Sequence, residues 1–153
     1  MIINNKLDKS FGPVGSFSGI VVFAAGLISI FYSLSALILL LIGWFLGFSY
    51  SCTLIDVNKK RIRFSNTLFG IIKTGQWMDI KTDMKIGIRN STKVWRSYSQ
   101  SNRTLDIENK DFRLILYDSS GKMIMPILKV NNLNSAKSEL EKICRQLGLS
   151  PVS

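Results

Sequence analysis

Residues 10–55 read SFGPVGSFSGIVVFAAGLISIFYSLSALILLLIGWFLGFSYSCTLI, 46 positions without Asp, Glu, Lys, Arg or His, although the 153-residue chain carries 20 basic and 10 acidic side chains. A membrane-spanning helix needs about 20 apolar residues, so this run holds enough for two. An ordinary soluble globule does not carry such a stretch, and the chain divides into a membrane part and a polar part. A single straight helix over the run would reach roughly 65–70 Å against a ~30 Å hydrocarbon core, so the run must fold back. The polar interruption nearest its middle, Tyr32-Ser33-Leu34-Ser35, predicts helices over about 14–32 and 35–52.

The second helix is the more apolar, with Leu37, Ile38, Leu39, Leu40, Leu41, Ile42, Phe45, Leu46 and Phe48. Together these favour insertion by up to roughly 3–5 kcal/mol. The first carries Gly, Ala and Ser among Ile20, Val21, Val22, Phe23, Leu27, Ile28, Ile30 and Phe31, and a turn this short makes it follow as a hairpin. A cleaved signal peptide is the competing reading, because Lys6 and Lys9 precede the apolar stretch and Ala24-Ala25-Gly26 is small. The hydrophobicity continues for another span beyond that point, unlike a secretory cleavage region.

Lys6 and Lys9 flank one end of the run, Lys59, Lys60, Arg61 and Arg63 the other, and the central turn has no charge. By the positive-inside rule both termini face the cytoplasm, with Tyr32 at the outer interface and Tyr50 near the inner one. Trp44, at middle depth, fits the aromatic belt less well. Gly15 and Gly19, like Gly43 and Gly47, stand four apart, the small-residue spacing that lets membrane helices approach closely. Counted outward from Ser33, Gly19 and Gly47 share one depth, so these glycines are read as packing the hairpin on itself, with homodimerisation through one pair as the alternative. The spans carry no ionisable residue, which argues against an ion path.

Other classes fall away. Without histidine, the chain builds no Ser-His or Cys-His triad and no histidine zinc site. Cys52 and Cys144 match no metal or redox spacing and read as small buried hydrophobes, with palmitoylation of juxtamembrane Cys52 as a minor alternative. Glycine-rich phosphate loops and nucleophile elbows are missing, and no cofactor or metal is expected.

Residues 53–131 read as seven antiparallel strands: 52–57, 61–65, 70–77, 84–89, 103–108, 112–117 and 123–130, with Asn90–Asn102 as a loop or frayed edge. Asp118-Ser119-Ser120-Gly121 supplies a hairpin turn. The period then changes: Leu133, Ala136, Leu140, Ile143, Cys144 and Leu147 form a helical stripe, with Asn132 or Asn134 as cap and Gly148 and Pro151 marking its end. The expected fold is thus an α+β membrane protein: a cytoplasmic segment (1–13), a transmembrane helical hairpin (14–52), and a cytoplasmic domain (53–153) with the element order of the pleckstrin-homology (PH) superfold, an antiparallel barrel or sandwich closed by an amphipathic helix.

Residues 54–149, through Ile55-Asp56, the Asn58-Lys59-Lys60-Arg61 turn, Phe69-Gly70-Ile71, Gly75-Gln76-Trp77 and the closing helix, resemble small bacterial membrane proteins that join a two-helix hairpin to a PH-like domain. The resemblance implies a bacterial inner-membrane protein acting as a binding or scaffolding module, with no catalytic residue to carry over. PH domains elsewhere bind phosphoinositides through basic residues of the first strands, an activity for which bacterial relatives are not generally known.

Residues 56–153 hold 18 basic and 9 acidic residues, an excess that suggests an anionic neighbour. Lys59, Lys60, Arg61 and Arg63 are the candidate contact for anionic lipid headgroups, where each is worth about 1 kcal/mol at the surface, against the reading that they only set topology. Arg89, Lys93, Trp95, Arg96, Tyr98 and Arg103 form a candidate partner-binding loop, against the reading of a merely solvated loop at a sheet edge; as a ligand, a protein or lipid is favoured over nucleic acid. Asp106, Glu108 and Asp111 are the one close acidic group, but Arg103, Lys110 and Arg113 among them make it alternating surface charge. The sequence therefore points to a non-enzymatic tethered binding module. The alternative is a subunit or accessory protein, including an immunity-type protein, of a larger membrane complex assembled through the glycine-bearing helices.

Overall fold

The computed structural model describes residues 1–98 and 104–152; at 93–98 and 104–110 it describes the backbone alone. The described elements, in chain order, are β1 (Ile2–Lys9), α1 (Gly12–Ser29), α2 (Ala36–Phe48), β2 (Tyr50–Asp56), β3 (Arg61–Leu68), β4 (Ile72–Lys73), β5 (Met78–Asp79), β6 (Lys85–Tyr98), β7 (Thr104–Tyr117), β8 (Met123–Val130), α3 (Leu133–Leu147) and β9 (Ser150–Pro151). The chain is α+β, with two open sheets. One runs β1-β2-β3-β4 with β5 also on β3; the other runs β8-β7-β6-β9. Two compact units result: a helical unit (Asp8–Cys52 and Ser65–Gly75) and a polar unit (Met1–Leu7, Thr53–Phe64 and Gln76–Ser153).

In the helical unit, α1 starts behind Gly12 (φ 70°) with Pro13 in its first turn, where the missing N–H removes no helical bond. Among the described residues it is the one helix long and apolar enough to cross a membrane; α2, at 13 residues, is shorter. The expected second helix to residue 52 stops at Phe48, because Ser49 turns extended (ψ 134°) and Tyr50 opens a strand. Serine at that point suits the change of direction: its hydroxyl donates to Phe45 O at 2.6 Å and accepts from Phe69 N at 3.2 Å. The helices pack antiparallel, Gly19 facing Gly47, Phe23 facing Gly43 and Gly26 facing Leu40, pairs placed symmetrically about Ser33.

In the polar unit the core gathers Ile55 and Ile62 from the first sheet, Ile86, Leu114, Leu116 and Ile127 from the second, and Ala136, Ile143, Cys144 and Leu147 from α3. Asn132 caps α3, accepting from Asn134 N at 3.0 Å, and Gly148 ends it in the left-handed conformation (φ 70°).

Three sequence expectations are corrected here. Residues 2–9, part of the expected cytoplasmic segment 1–13 for which the sequence suggested no element, form a strand whose less exposed positions, Ile3, Asn5 and Leu7, alternate with the period of two that sheets need; Asn5 Nδ2 donates to Ile127 O at 3.2 Å. The expected loop from Asn90 is strand as far as Tyr98, paired residue by residue with Thr104–Phe112; Ser99–Asn102 lie outside the described residues. The two strands expected at 103–108 and 112–117 are one, β7, while the single strand expected at 70–77 shrinks to the two-residue β4, with the short β5 following at Met78–Asp79. Polar composition hid the long hairpin, since ladder hydrogen bonds are made by backbone and do not require apolar side chains.

Candidate binding surface

The β2–β3 turn places the first basic group. Lys59 N donates to Asp56 Oδ1 at 3.3 Å, Lys60 takes a left-handed φ of 45°, and β5 pairs back on β3 with Arg61 opposite Asp79 and Ile62 opposite Met78. Continuing that register sets Trp77 opposite Arg63. The guanidinium carbons of Arg61 and Arg63 lie 5.4 and 5.0 Å from the centre of the Trp77 ring, two cation–π contacts on one indole. Arg61 Nη2 also stands 3.9 Å from Asp56 Oδ2, a long contact between a half-buried guanidinium and a buried carboxylate.

The four candidate lipid contacts therefore do not form one open patch. Lys59 is exposed, whereas Lys60, also exposed, extends toward the end of α3, where a Cβ built on Gly148 would lie 3.9 Å from its Nζ. A cation there complements the negative end of the helix dipole. Arg61 and Arg63 are half-buried on Trp77, with both Nε atoms buried and without a hydrogen-bond partner among the described residues. Their outer N–H groups keep the planar fork that recognises carboxylate or phosphate. Trp77, absent from the sequence-derived site, is what fixes the two arginines; its position immediately before a strand that returns along Arg61-Ile62 was the available signal.

A second basic group runs across β6, β7 and β8. Arg89 pairs directly with Arg113, and Arg113 with Lys129, so three cations stand abreast on one face. Like charges directly opposite on a sheet repel. Asp111, two residues from Arg113 on the same face, lies between them: its Oδ2 accepts from Arg113 Nε at 2.8 Å and lies 3.6 Å from Lys129 Nζ. Asp111 is 1% exposed and Arg113 8%, which corrects the reading of this segment as alternating surface charge. Next to the row is a cleft of about 310 Å³ lined by Arg89, Ser91, Thr92, Arg113 and Met123, and Arg89 Nη1 approaches Met123 Sδ at 3.7 Å.

Of the proposed partner loop, Arg89 belongs to this row. Lys93, Trp95, Arg96 and Tyr98 lie on β6 by backbone, their side chains outside the description, and Arg103 lies outside the described residues. Asp106 and Glu108 lie on β7 in the same way. Among the described residues no cluster of three metal-ligating side chains occurs. No family model, curated protein or solved structure matches this chain.

The glycines fall into two groups. A Cβ added at Gly19 would overlap the Gly47 nitrogen and one at Gly43 the Phe23 nitrogen, while at Gly47 it would come within 3.2 Å of Ile20. Gly15 stands apart, meeting only the Phe11 side chain, and Gly26, missing from the sequence-derived set, backs onto Leu40 N at 2.9 Å. Its position seven residues after Gly19, on the same helix face, is the signal that would have found it.

Both cysteines are free and buried. Cys52 is enclosed with its Sγ 3.5 Å from Thr67 Oγ1, a placement unsuited to lipidation. Burial pushes the Cys144 thiol up from its ordinary value, and the thiolate is the nucleophile. Alkylation of native protein at pH 8 by a water-soluble maleimide is expected to be slow at Cys144 and to reach the rate of a free thiol only after denaturation; rapid native labelling, read by mass spectrometry, would refute the buried placement.

Proposed function

We propose that this protein is a non-enzymatic binding module anchored in the bacterial inner membrane. In this reading α1 and α2 cross the bilayer as a hairpin with both termini in the cytoplasm, and a PH-like polar domain presents basic residues to anionic headgroups or to an anionic face of a membrane partner. The observation that carries it is the outer surface of the helix pair. Phe17, Ile28 and Ile38 are 68%, 67% and 62% exposed, whereas the buried residues of α1 and α2 are Gly, Ser and Ala. Large side chains outward and small ones inward is the arrangement of helices whose solvent is lipid. In water a contiguous apolar surface of this kind is an aggregation site. At 13 residues α2 covers roughly 20 Å, so spanning draws on the residues beyond its ends or on local thinning of the bilayer.

Anchoring raises the effective concentration of the polar domain for anything else in the membrane. Two arginines held on one indole, and exposed Arg89 at the end of the row that continues through Arg113 and Lys129, support recognition of an anion. A carboxylate enclosed by cations and a chain without histidine do not support acid–base catalysis. The alternative of assembly into a larger complex through the helices is weakened by Gly19, Gly43 and Gly47 being occupied within the chain.

The anchoring is tested by alkaline carbonate extraction of membranes, from which the protein is expected to stay in the pellet; release into the supernatant would refute it. For the anionic ligand, the full chain purified in detergent is offered phosphatidylglycerol and the retained lipid is counted by native mass spectrometry. Arg61→Gln with Arg63→Gln is expected to weaken retention about fivefold per residue, from about 1 kcal/mol each, and to reduce its salt dependence. Equal, salt-insensitive retention by both proteins would exclude lipid as the ligand of this pair.

A further inference from the structure

The turn between β3 and β4 runs against sequence preference. Leu68-Phe69-Gly70-Ile71 is closed by Ile71 N donating to Leu68 O at 3.1 Å, with left-handed φ at both central residues, 55° at Phe69 and 72° at Gly70. These are the signs of a type I′ hairpin turn, which favours Asn-Gly or Asp-Gly. Glycine fits there, but a bulky aromatic residue at positive φ is strained. The strain is offset by where the ring goes. Phe69 lies 5.7 Å from Trp44 and 5.2 Å from Phe45, and Phe45 lies 5.2 Å from Phe11. Four aromatic rings thus collect at the end of the helix pair where α1 begins and α2 ends. Trp44, out of place in an aromatic belt by sequence depth alone, is part of this group.

Beyond the turn the tip is apolar and uncovered: Ile71 is 68% and Ile72 56% exposed, followed by exposed Lys73. A hairpin tip facing water has no use for Phe-Gly-Ile-Ile. We infer that the tip Leu68–Ile72 is a third membrane element, an apolar wedge that enters the bilayer interface beside the end of α2. The inference rests on the membrane reading of α1 and α2 and adds to it a site of lipid contact outside the helices. Continuity selects lipid as the occupant, since the tip is held by aromatic contact to the end of a helix whose other sides are exposed Leu and Ile. It also extends the apolar band of a helix too short to span alone. On its inner side the tip's backbone is paired, Thr67 with Lys73 and Thr74 N to Asn66 O at 3.0 Å, while the outer side of β4 is a sheet edge, which sets the wedge at the hydrated interface and not in the hydrocarbon core. Lys73, next in the chain, can lay its stem along the apolar region while its ammonium stays in water.

The test uses the full chain in vesicles of phosphatidylethanolamine and phosphatidylglycerol, labelled with one nitroxide through Ile38→Cys, Ile71→Cys or Ser120→Cys; the two native thiols are buried. Collision rates with oxygen, which concentrates in lipid, and with a water-soluble nickel chelate give a depth ratio at each position. The ratio at residue 71 is expected to be several-fold above that at 120 and to approach that at 38. A ratio at 71 equal to that at 120, with 38 in lipid, overturns the wedge and leaves the spanning helices standing. Low collision with both reagents at 71 means a protein partner or a second copy covers the tip, and also overturns it. Water exposure at all three positions refutes the membrane reading together with the wedge. Ile72→Cys repeats the measurement should the label at 71 perturb the fold.

Discussion

Replacing Asp111 with Ala is expected to destabilise the polar unit by about 3–5 kcal/mol, the usual consequence of breaking a buried ion pair by removing one member. Arg113 and Lys129 stand directly opposite each other on adjacent strands, Arg89 stands opposite Arg113, and the Asp111 carboxylate is 2.8 Å from Arg113 and 3.6 Å from Lys129. Its removal takes away the negative charge that lies between Arg113 and Lys129, which stand directly opposite each other across the ladder. Asp111→Asn keeps the shape and removes the charge, and should lose most of the same stability. Replacing Asp111 and Arg113 together by Leu should recover much of it, because an apolar pair of similar volume often substitutes well for a buried ion pair. Urea unfolding of the detergent-solubilised protein, followed by circular dichroism, reads all three. A change below about 0.5 kcal/mol for Asp111→Ala, the size of an ordinary surface substitution, would show that this carboxylate does not hold the cations.

The second large effect is expected at the helix contact. Gly43→Leu puts a side chain where the Phe23 backbone lies, and Gly19→Leu puts one against the Gly47 backbone. Backbone cannot rotate out of the way as a side chain does, so the helices must separate, and the penalty should lie at or beyond the upper end of the 1–3 kcal/mol usual for overpacking. Gly47→Ala, whose Cβ would come within 3.2 Å of the Ile20 side chain and backbone nitrogen, should be much milder, helped by the better helix propensity of alanine. Resistance of the folded protein to SDS titration in mixed micelles orders the series. Equal tolerance of Gly43→Leu and Gly47→Ala would mean that the close approach is not required. A loss of co-purifying protein without loss of fold would instead favour assembly through the helices.

Some elements were legible because one local signal decided them. The charge-free run, its glycines and its central Tyr-Ser-Leu-Ser break announce two apolar helices meeting antiparallel, and Gly19 against Gly47 follows from counting alone. The stripe from Leu133 to Leu147, with Asn132 before and Gly148 after, specifies α3 in the same way. Other elements were hidden because their cause is remote in the chain. Ile2–Lys9 is polar enough to pass for a tail and becomes a strand through pairing with β2, some fifty residues on. Asn90–Tyr98 reads as loop by composition and is strand by its backbone partners.

The candidate sites divide along the same line. Basic excess, absence of histidine and clustering of Lys59 to Arg63 are properties of composition and local spacing, and they divide the protein into one apolar stretch and one basic part. Which cations stand together is decided by register: Arg61 and Arg63 meet Trp77 because β5 returns along β3, and Arg89, Arg113 and Lys129 align because β6, β7 and β8 pair at those positions. Phe69 is the sharpest case, since by local preference a phenylalanine does not belong at φ 55°, and only its contact with Trp44 and Phe45 accounts for it. Periodicity and charge act over a few residues and are written in the chain, whereas register and long-range contact are settled by the free energy of the whole fold, which no short window of sequence contains.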